Sequence, residues 1–215
     1  MEVSYDDICR KPRLIKIFIV HYKPLINRKM YIINEFKKYN FTNYEFCEDY
    51  DRDTTAKETM DLYFKLNNLN PAQICITISH IEIYKKIINE NIDLCLILED
   101  DAILCENFFS ILDDYIHILP SDFEIGFINN GCNMHASNIT ANKIWYDAIY
   151  SRTCCAYIIT NICCKKLLQT IVPFNYAIDH ELNEQIKKHN LKTYWAEPTI
   201  VSDGSSIYGS SYIMY

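Results

Sequence analysis

An α/β sandwich built on a mostly parallel central sheet is the fold class this sequence predicts, and two observations carry that expectation. Short apolar, β-branched runs alternate with amphipathic helical stretches along the chain, the pattern of strands joined by crossover helices. One run, residues 92–98, is almost uniformly apolar and too short for a typical helix, which suits a central strand covered on both faces.

The elements follow in order. Residues 14–22 form an apolar, β-branched run, read as a buried first strand. Residues 28–38 carry Tyr31, Ile32, Asn34, Glu35 and Lys38 in a helical pattern. Residues 44–47 read as a short second strand running into an acidic loop, residues 48–53. Pro71 opens the clearest helix, because its missing N–H is not needed in a first turn. Ile81, Tyr84 and Ile88, with Ile83 and Ile87, supply that helix with an apolar face. After the strand at 92–98 come a helix at 108–119 ending before Pro120, a strand at 123–128 and a long Asn-rich loop at 129–142. A strand at 155–160 and helices at 163–171 and 180–188 complete the reading. In such sheets ligands sit outside the carboxyl ends of the strands.

Composition bounds the function. The 215 residues suit one domain spanning 1–215, with no repeat or linker. A net charge of −7 argues against nucleic acid as the main partner, since phosphate backbones select basic surfaces. The opening residues, Met1 to Asp7, are acidic where a targeting signal would be basic, and no apolar stretch is long enough to span a bilayer. The expectation is a cytoplasmic chain, at most peripheral to a membrane. Of the ten cysteines, Cys154-Cys155 and Cys163-Cys164 are adjacent pairs without the spacer zinc sites need, so reduced, mostly buried thiols are expected.

The apolar run ends at three consecutive carboxylates, Glu99, Asp100 and Asp101. Unpaired charges are costly to bury, so the run must end at the surface or at a bound cation. On an extended chain, Glu99 and Asp101 would share a face and Asp100 would point away. Two carboxylates on one face can hold Mg²⁺ or Mn²⁺ through oxygen ligands. Taken alone, the triplet reads slightly better as an exposed acidic turn.

The segment Leu69-Asn70-Pro71-Ala72-Gln73-Ile74-Cys75-Ile76-Thr77-Ile78-Ser79-His80, then a helix, then Leu96-Ile97-Leu98-Glu99-Asp100-Asp101, resembles glycosyltransferase family 25. That family includes bacterial lipooligosaccharide galactosyltransferases and animal procollagen galactosyltransferases. Its pattern is a Leu-Thr-Pro-Gly-Glu-Ile-Gly-Cys-Ala-Leu-Ser-His box, a helix and Leu-Ile-Leu-Glu-Asp-Asp. Weaker likenesses at Val20-His21-Tyr22-Lys23 through Arg28, Tyr44 through Asp51, Ala156-Tyr157-Ile158-Ile159 with Lys165-Lys166-Leu167-Leu168, and Ile178-Asp179 extend it over most of the chain. The chain departs from the pattern where Ala72 and Cys75 replace the box glycines and His21 replaces a first-strand Asn.

The resemblance implies a GT-A-like nucleotide-sugar fold, a UDP-sugar donor (most often UDP-galactose) and a divalent metal, Mn²⁺ or Mg²⁺, at the acidic triplet. It implies metal ligation by Glu99 and Asp101, with Asp100 in support and His180 completing the shell. Arg28, and more weakly Lys23, would bind the diphosphate, as a guanidinium fork suits that geometry. Ser79 and His80, which alone read as a helix-start hydroxyl and a core imidazole, would stand near the donor sugar-phosphate. Asp51 is a loop carboxylate or a ribose contact. Asp179, otherwise a favourable acid at a helix N-terminus, would be the general base, ahead of Glu181. Residues 203–209 would be a lid over the donor or a frayed terminus. Tyr146, Tyr150, Tyr208 and Tyr212 would stack on sugars or simply pack. The implied activity is hexose transfer, with inversion, to a hydroxyl of a glycan or hydroxylated protein. Two alternatives stand beside it: a degenerate member that binds nucleotide-sugar or glycan without turnover, motivated by the lost glycines, and a Mg²⁺ phosphohydrolase. The latter wants an Asp-x-Asp pair after the first strand, where this chain has Val20-His21-Tyr22.

Overall fold

The computed structural model describes residues 15–66 and 68–208, apart from the side chains of Ser206 and Tyr208. Met1 to Asp7, Leu14, Gly209 and Tyr212 lie outside the described residues. In order, the chain forms β1 (Lys16–Val20), α1 (Ile26–Lys38), β2 (Tyr44–Cys47), α2 (Lys57–Tyr63), α3 (Pro71–Asn89), β3 (Leu94–Glu99), β4 (Ala102–Leu104), α4 (Phe108–His117) and β5 (Ile125–Phe127). It continues through β6 (Trp145–Ala148), β7 (Ala156–Thr160), α5 (Asn161–Leu168), α6 (Ile178–His189), β8 (Thr193–Ala196), β9 (Val201–Asp203) and α7 (Ser205–Tyr208).

Among the described residues the main sheet has seven strands in the order β2-β1-β3-β7-β5-β8-β6. Strand β1 runs parallel to both β2 and β3, and β5 runs parallel to β8. Strand β7 is antiparallel to its neighbours β3 and β5, and β6 is antiparallel to β8. The mostly parallel α/β sandwich expected from the sequence is therefore the fold, with two reversed strands. A small second sheet pairs β4 with β9, Ala102 opposite Asp203.

Alternation along the strands divides the core into two layers. Phe18, Cys95, Ile97, Tyr157 and Ile159 pack with α3, α5 and α6 on one face. Ile17, Ile19, Leu96, Leu98 and Ile158 pack with Ile32 and Phe36 of α1 and Phe108, Phe109 and Leu112 of α4 on the other. Strand β3 is covered on both faces, as its apolar run requires. Helix α3 starts at a capping box: the Gln73 N–H donates to Asn70 Oδ1 at 2.9 Å, and the Asn70 N–H donates to Gln73 Oε1 at 3.1 Å. No helix among the described residues is long and apolar enough to cross a membrane.

One buried ion pair ties the 129–142 loop to the sheet. Arg152, fully buried, sets Nη2 2.5 Å from Glu197 Oε1, donates from Nη1 to the Ala196 carbonyl at 3.0 Å and from Nε to the Met134 carbonyl at 2.7 Å. Glu197 Oε1 also accepts the Ala136 N–H at 3.0 Å. Removing one partner of a buried pair leaves an uncompensated charge. Arg152→Met is therefore expected to destabilise the fold by about 3–5 kcal/mol, with part recovered in the Arg152→Met/Glu197→Gln double variant. Urea unfolding of the single and double variants measures this; equal stability of Arg152→Met and the parent would remove the ion pair from the account of the loop.

Candidate active site

Strand β3 delivers the acidic triplet to the carboxyl edge of the sheet, beside the end of β1. Its regular structure stops at Glu99, and Asp100 and Asp101 form the turn into β4. Strict strand alternation therefore ends one residue before it would separate Asp100 from its neighbours. All three carboxylates line one cavity of about 500 Å³, with His21, Tyr22, Arg28, Cys75 and Ser79 among the other walls.

Asp100 is the anchor of this turn and not a spare ligand. Its Oδ2 lies 2.7 Å from His21 Nδ1 and accepts the Tyr22 N–H at 3.1 Å, while Oδ1 accepts Arg28 Nη1 at 2.8 Å. The same Arg28 nitrogen lies 3.5 Å from Asp101 Oδ2. Arg28 and Asp100 are both buried, so the guanidinium is fixed at the cavity wall. His21 was visible in the sequence only as a departure from a family pattern; here it is a buried part of the Asp100 anchor.

The remaining carboxylates are electrostatically unhappy. Burial, then repulsion from Asp100, Asp179 and Asp203, raises Glu99 to about 8. Burial, then repulsion from Glu99, raises Asp101 to about 7, Arg28 offsetting part of it. His80 gives no help: burial pushes its imidazole down to about 3, so it is neutral. Its Nε2 lies 3.3 Å from Glu99 Oε1 and its Nδ1 2.7 Å from the Tyr157 hydroxyl, which meets the Tyr84 hydroxyl at 2.8 Å. A buried chain of neutral groups thus supports Glu99 from behind.

Whether a divalent cation fits can be tested on this arrangement. Among the described residues no three His, Cys, Asp or Glu side chains converge to hold one alone. Glu99, Asp101 and His180 accordingly do not form a shell, and His180 is exposed on α6, because one residue along a helix turns the side chain away from the direction of Asp179. Two carboxylates held in ionisation-resistant surroundings nonetheless fit a cation shared with phosphate oxygens, the usual mode for Mg²⁺.

A second cavity, of about 530 Å³, adjoins the first. Gln73, Ile76, Glu99, Thr153, Cys154, Ala177, Ile178 and Asp179 line it, and Glu99 and Ile76 belong to both cavities. Asp179 is thus brought to the acidic site. Glu181 is not: its Oε2 accepts the N–H groups of Asn175 at 3.0 Å and Tyr176 at 3.3 Å, and Oε1 accepts Gln185 Nε2 at 2.9 Å. It closes the turn into α6. Asp51 likewise caps its own turn by accepting the Asp53 N–H at 2.8 Å, and it lines neither cavity. Lys23 is exposed and lines neither. Ser79 lies in the middle of α3 and not at a helix start; its hydroxyl donates to the Cys75 carbonyl at 3.0 Å.

Tyr146 bonds its hydroxyl to Thr140 and Lys143 of its own loop, and Tyr150 packs edge-on against Trp195, so both pack. The lid expected at 203–209 is anchored at its base: Asp203 donates its N–H to Asn130 Oδ1 at 2.9 Å and caps Ser205, and the Gly204 N–H donates to the Asp101 carbonyl at 2.9 Å. Sequence reasoning missed Thr153, and Arg52, whose guanidinium lies 4.0 Å over the Tyr22 ring at the mouth of the first cavity.

The family model described as glycosyltransferase family 25 (LPS biosynthesis protein) matches residues 14–182. Comparison with curated proteins finds no match. Among solved structures, the crystal structure of A197 from STIV is similar at a TM-score of 0.47 and 10% identity, covering 87% of this chain and 83% of that one.

The shifted groups fix a pH dependence of stability. A carboxyl whose pKa rises on folding holds its proton after the unfolded chain has lost it, so stability falls as pH climbs through that interval. His80 acts oppositely below its ordinary 6.5, where the unfolded chain takes up a proton that the fold refuses. Of these three groups, only the carboxylates act between 6.5 and 8. With a chelator present, unfolding free energy is expected to fall across that window, by at most about 1.4 kcal/mol per pH unit for each proton. Glu99→Gln should flatten the slope in urea titrations at stepped pH; an unchanged slope would show that Glu99 is not strained there.

Proposed function

The chain belongs to glycosyltransferase family 25 and is a glycosyltransferase, and from that premise we propose that it moves a hexose, galactose first among candidates, from a UDP-sugar to a hydroxyl of a glycan or hydroxylated protein, with inversion. The observation that carries this reading is that Glu99 stands in the wall common to two cavities. One cavity offers Arg28 and the acidic turn to a diphosphate; the other offers Asp179 to an incoming hydroxyl. Transfer needs both, with the anomeric carbon at their junction.

Arg28, clamped by Asp100, donates to diphosphate oxygens from a fixed position. Glu99 and Asp101 are the residues that would hold a divalent cation, whose charge would offset that growing on the leaving diphosphate. Asp179 takes the proton of the acceptor hydroxyl as its oxygen attacks the anomeric carbon. The new C–O bond forms as the bond to the diphosphate breaks, and UDP leaves with the electron pair. His80, neutral and buried, positions the Glu99 carboxylate. Ser79 belongs to the donor wall, its hydroxyl committed to the helix backbone.

The deciding experiment is a panel of UDP-sugars assayed for UDP release, with Mn²⁺ present and chelated. Release from UDP-galactose that is lost on chelation is the expected result. Binding of UDP with no release, whatever sugar or acceptor is supplied, would favour the alternative of a degenerate member that holds nucleotide-sugar without turnover. Asp101→Ala is expected to abolish transfer while leaving the circular-dichroism spectrum and cooperative melting intact; undiminished transfer would remove the cation assignment. Asp179→Asn is expected to lower kcat by about 10²–10⁴-fold, and a loss below threefold would place the base elsewhere.

A further inference from the structure

Thr153 holds a backbone conformation that its residue type resists. Its φ is 61°, in the left-handed region, where a β-branched side chain crowds its own backbone. Such a conformation persists only where the surroundings impose it, and here they do. Asn129, fully buried, donates from Nδ2 to the Arg152 carbonyl at 2.6 Å and to Thr153 Oγ1 at 2.8 Å. Gly131 packs so closely that a Cβ there would lie 2.2 Å from the Arg152 carbonyl oxygen and 2.3 Å from Thr153 Oγ1. The Arg152–Glu197 pair holds the preceding residue. Three independent contacts therefore fix Thr153 in the wall of the second cavity, which Glu99 and Asp179 also line.

The lining of that cavity specifies a chemistry. The bond from Asn129 occupies a lone pair of Thr153 Oγ1 and leaves the hydroxyl proton available to donate. Among the described residues, the lining offers two carboxylates as acceptors, the Thr153 hydroxyl and the Gln73 amide as donors, an apolar floor of Ile76 and Ile178, and no cationic side chain. A neutral pyranose matches each part: its hydroxyls give protons to the carboxylates and accept from Thr153 and Gln73, and its C–H face rests on the isoleucines. A uronate or other anionic sugar would bring a further negative charge against the Asp179 carboxylate, and no cationic side chain lines the cavity to offset it. We propose that Thr153 is a positioning and specificity-determining residue on the acceptor side, and that the subsite it completes takes a neutral pyranose. This rests on reading the second cavity as the acceptor's.

The test uses the full chain, UDP-galactose, and two acceptors that differ at one carbon, 4-nitrophenyl β-glucoside and 4-nitrophenyl β-glucuronide. The glucoside should accelerate UDP release, and the glucuronide should show a kcat/KM at least tenfold lower. Thr153→Val keeps the shape and removes the hydroxyl; it should raise the KM for the glucoside about tenfold, the loss of one hydrogen bond, while the KM for UDP-galactose moves less than twofold. Thr153→Ser should restore acceptor affinity to within threefold. Thr153→Gly, which suits the backbone, should melt no lower than the parent and yet show the valine variant's acceptor defect. An unchanged acceptor KM in the valine variant, or equal use of the glucuronide, overturns the inference. UDP release from the donor alone that neither glycoside accelerates also overturns it and leaves the donor reading standing. Absence of both UDP release and UDP binding brings down the functional reading itself.

Discussion

The ion pair between Arg28 and Asp100 is the contact on which the site depends. It closes at 2.8 Å between two buried groups, and the same carboxylate also takes the Tyr22 N–H and faces His21. One anion thus joins the end of β1, the first turns of α1 and the turn after β3. Removing either partner would leave a buried charge uncompensated. Burial, and after it repulsion from neighbouring carboxylates, keeps Glu99 and Asp101 on either side of Asp100 in surroundings that resist their ionisation. Structure and chemistry are divided within three consecutive residues: the middle one fixes the turn, and the proposed function gives the ligand to the flanking two.

That division explains what was legible in the sequence. The sandwich could be read, since the apolar runs of β1, β3 and β7 and the Pro71 that opens α3 are local patterns written in adjacent residues. The reversed direction of β7 could not. A strand covered on both faces is apolar throughout whichever way it runs. Strands β4, β6, β8 and β9 are three or four residues long, too short for periodicity to separate them from loop. Helix α2 carries one buried residue, Met60, and so no apolar face to read.

The same reasoning separates the site residues. The strand-end triplet could be located because a run of charge after a buried strand is a conflict visible in sequence, whereas Arg28 was reached only through the family resemblance. Asp51 and Glu181 are carboxylates of the right type in the right neighbourhood, yet each is consumed by backbone N–H groups a few residues away. Sequence does not tell a carboxylate that binds its own turn from one that faces a cavity. Thr153 was silent for a different reason: its distinguishing property is a backbone angle imposed by Asn129 and Gly131, more than twenty residues earlier.

Helix α3 couples the two cavities. Ala72, Cys75 and Ser79 face the first, Gln73 faces the second, and Ile76 touches both, as the turn of about 100° per residue requires. The departures at Ala72 and Cys75 fall on the face toward the first cavity. Both residues are inside α3 and neither has a positive φ, so a glycine at either place is not demanded by backbone conformation. The larger side chains act on space: they add bulk to the wall of the first cavity, which Arg28 and the acidic turn also line.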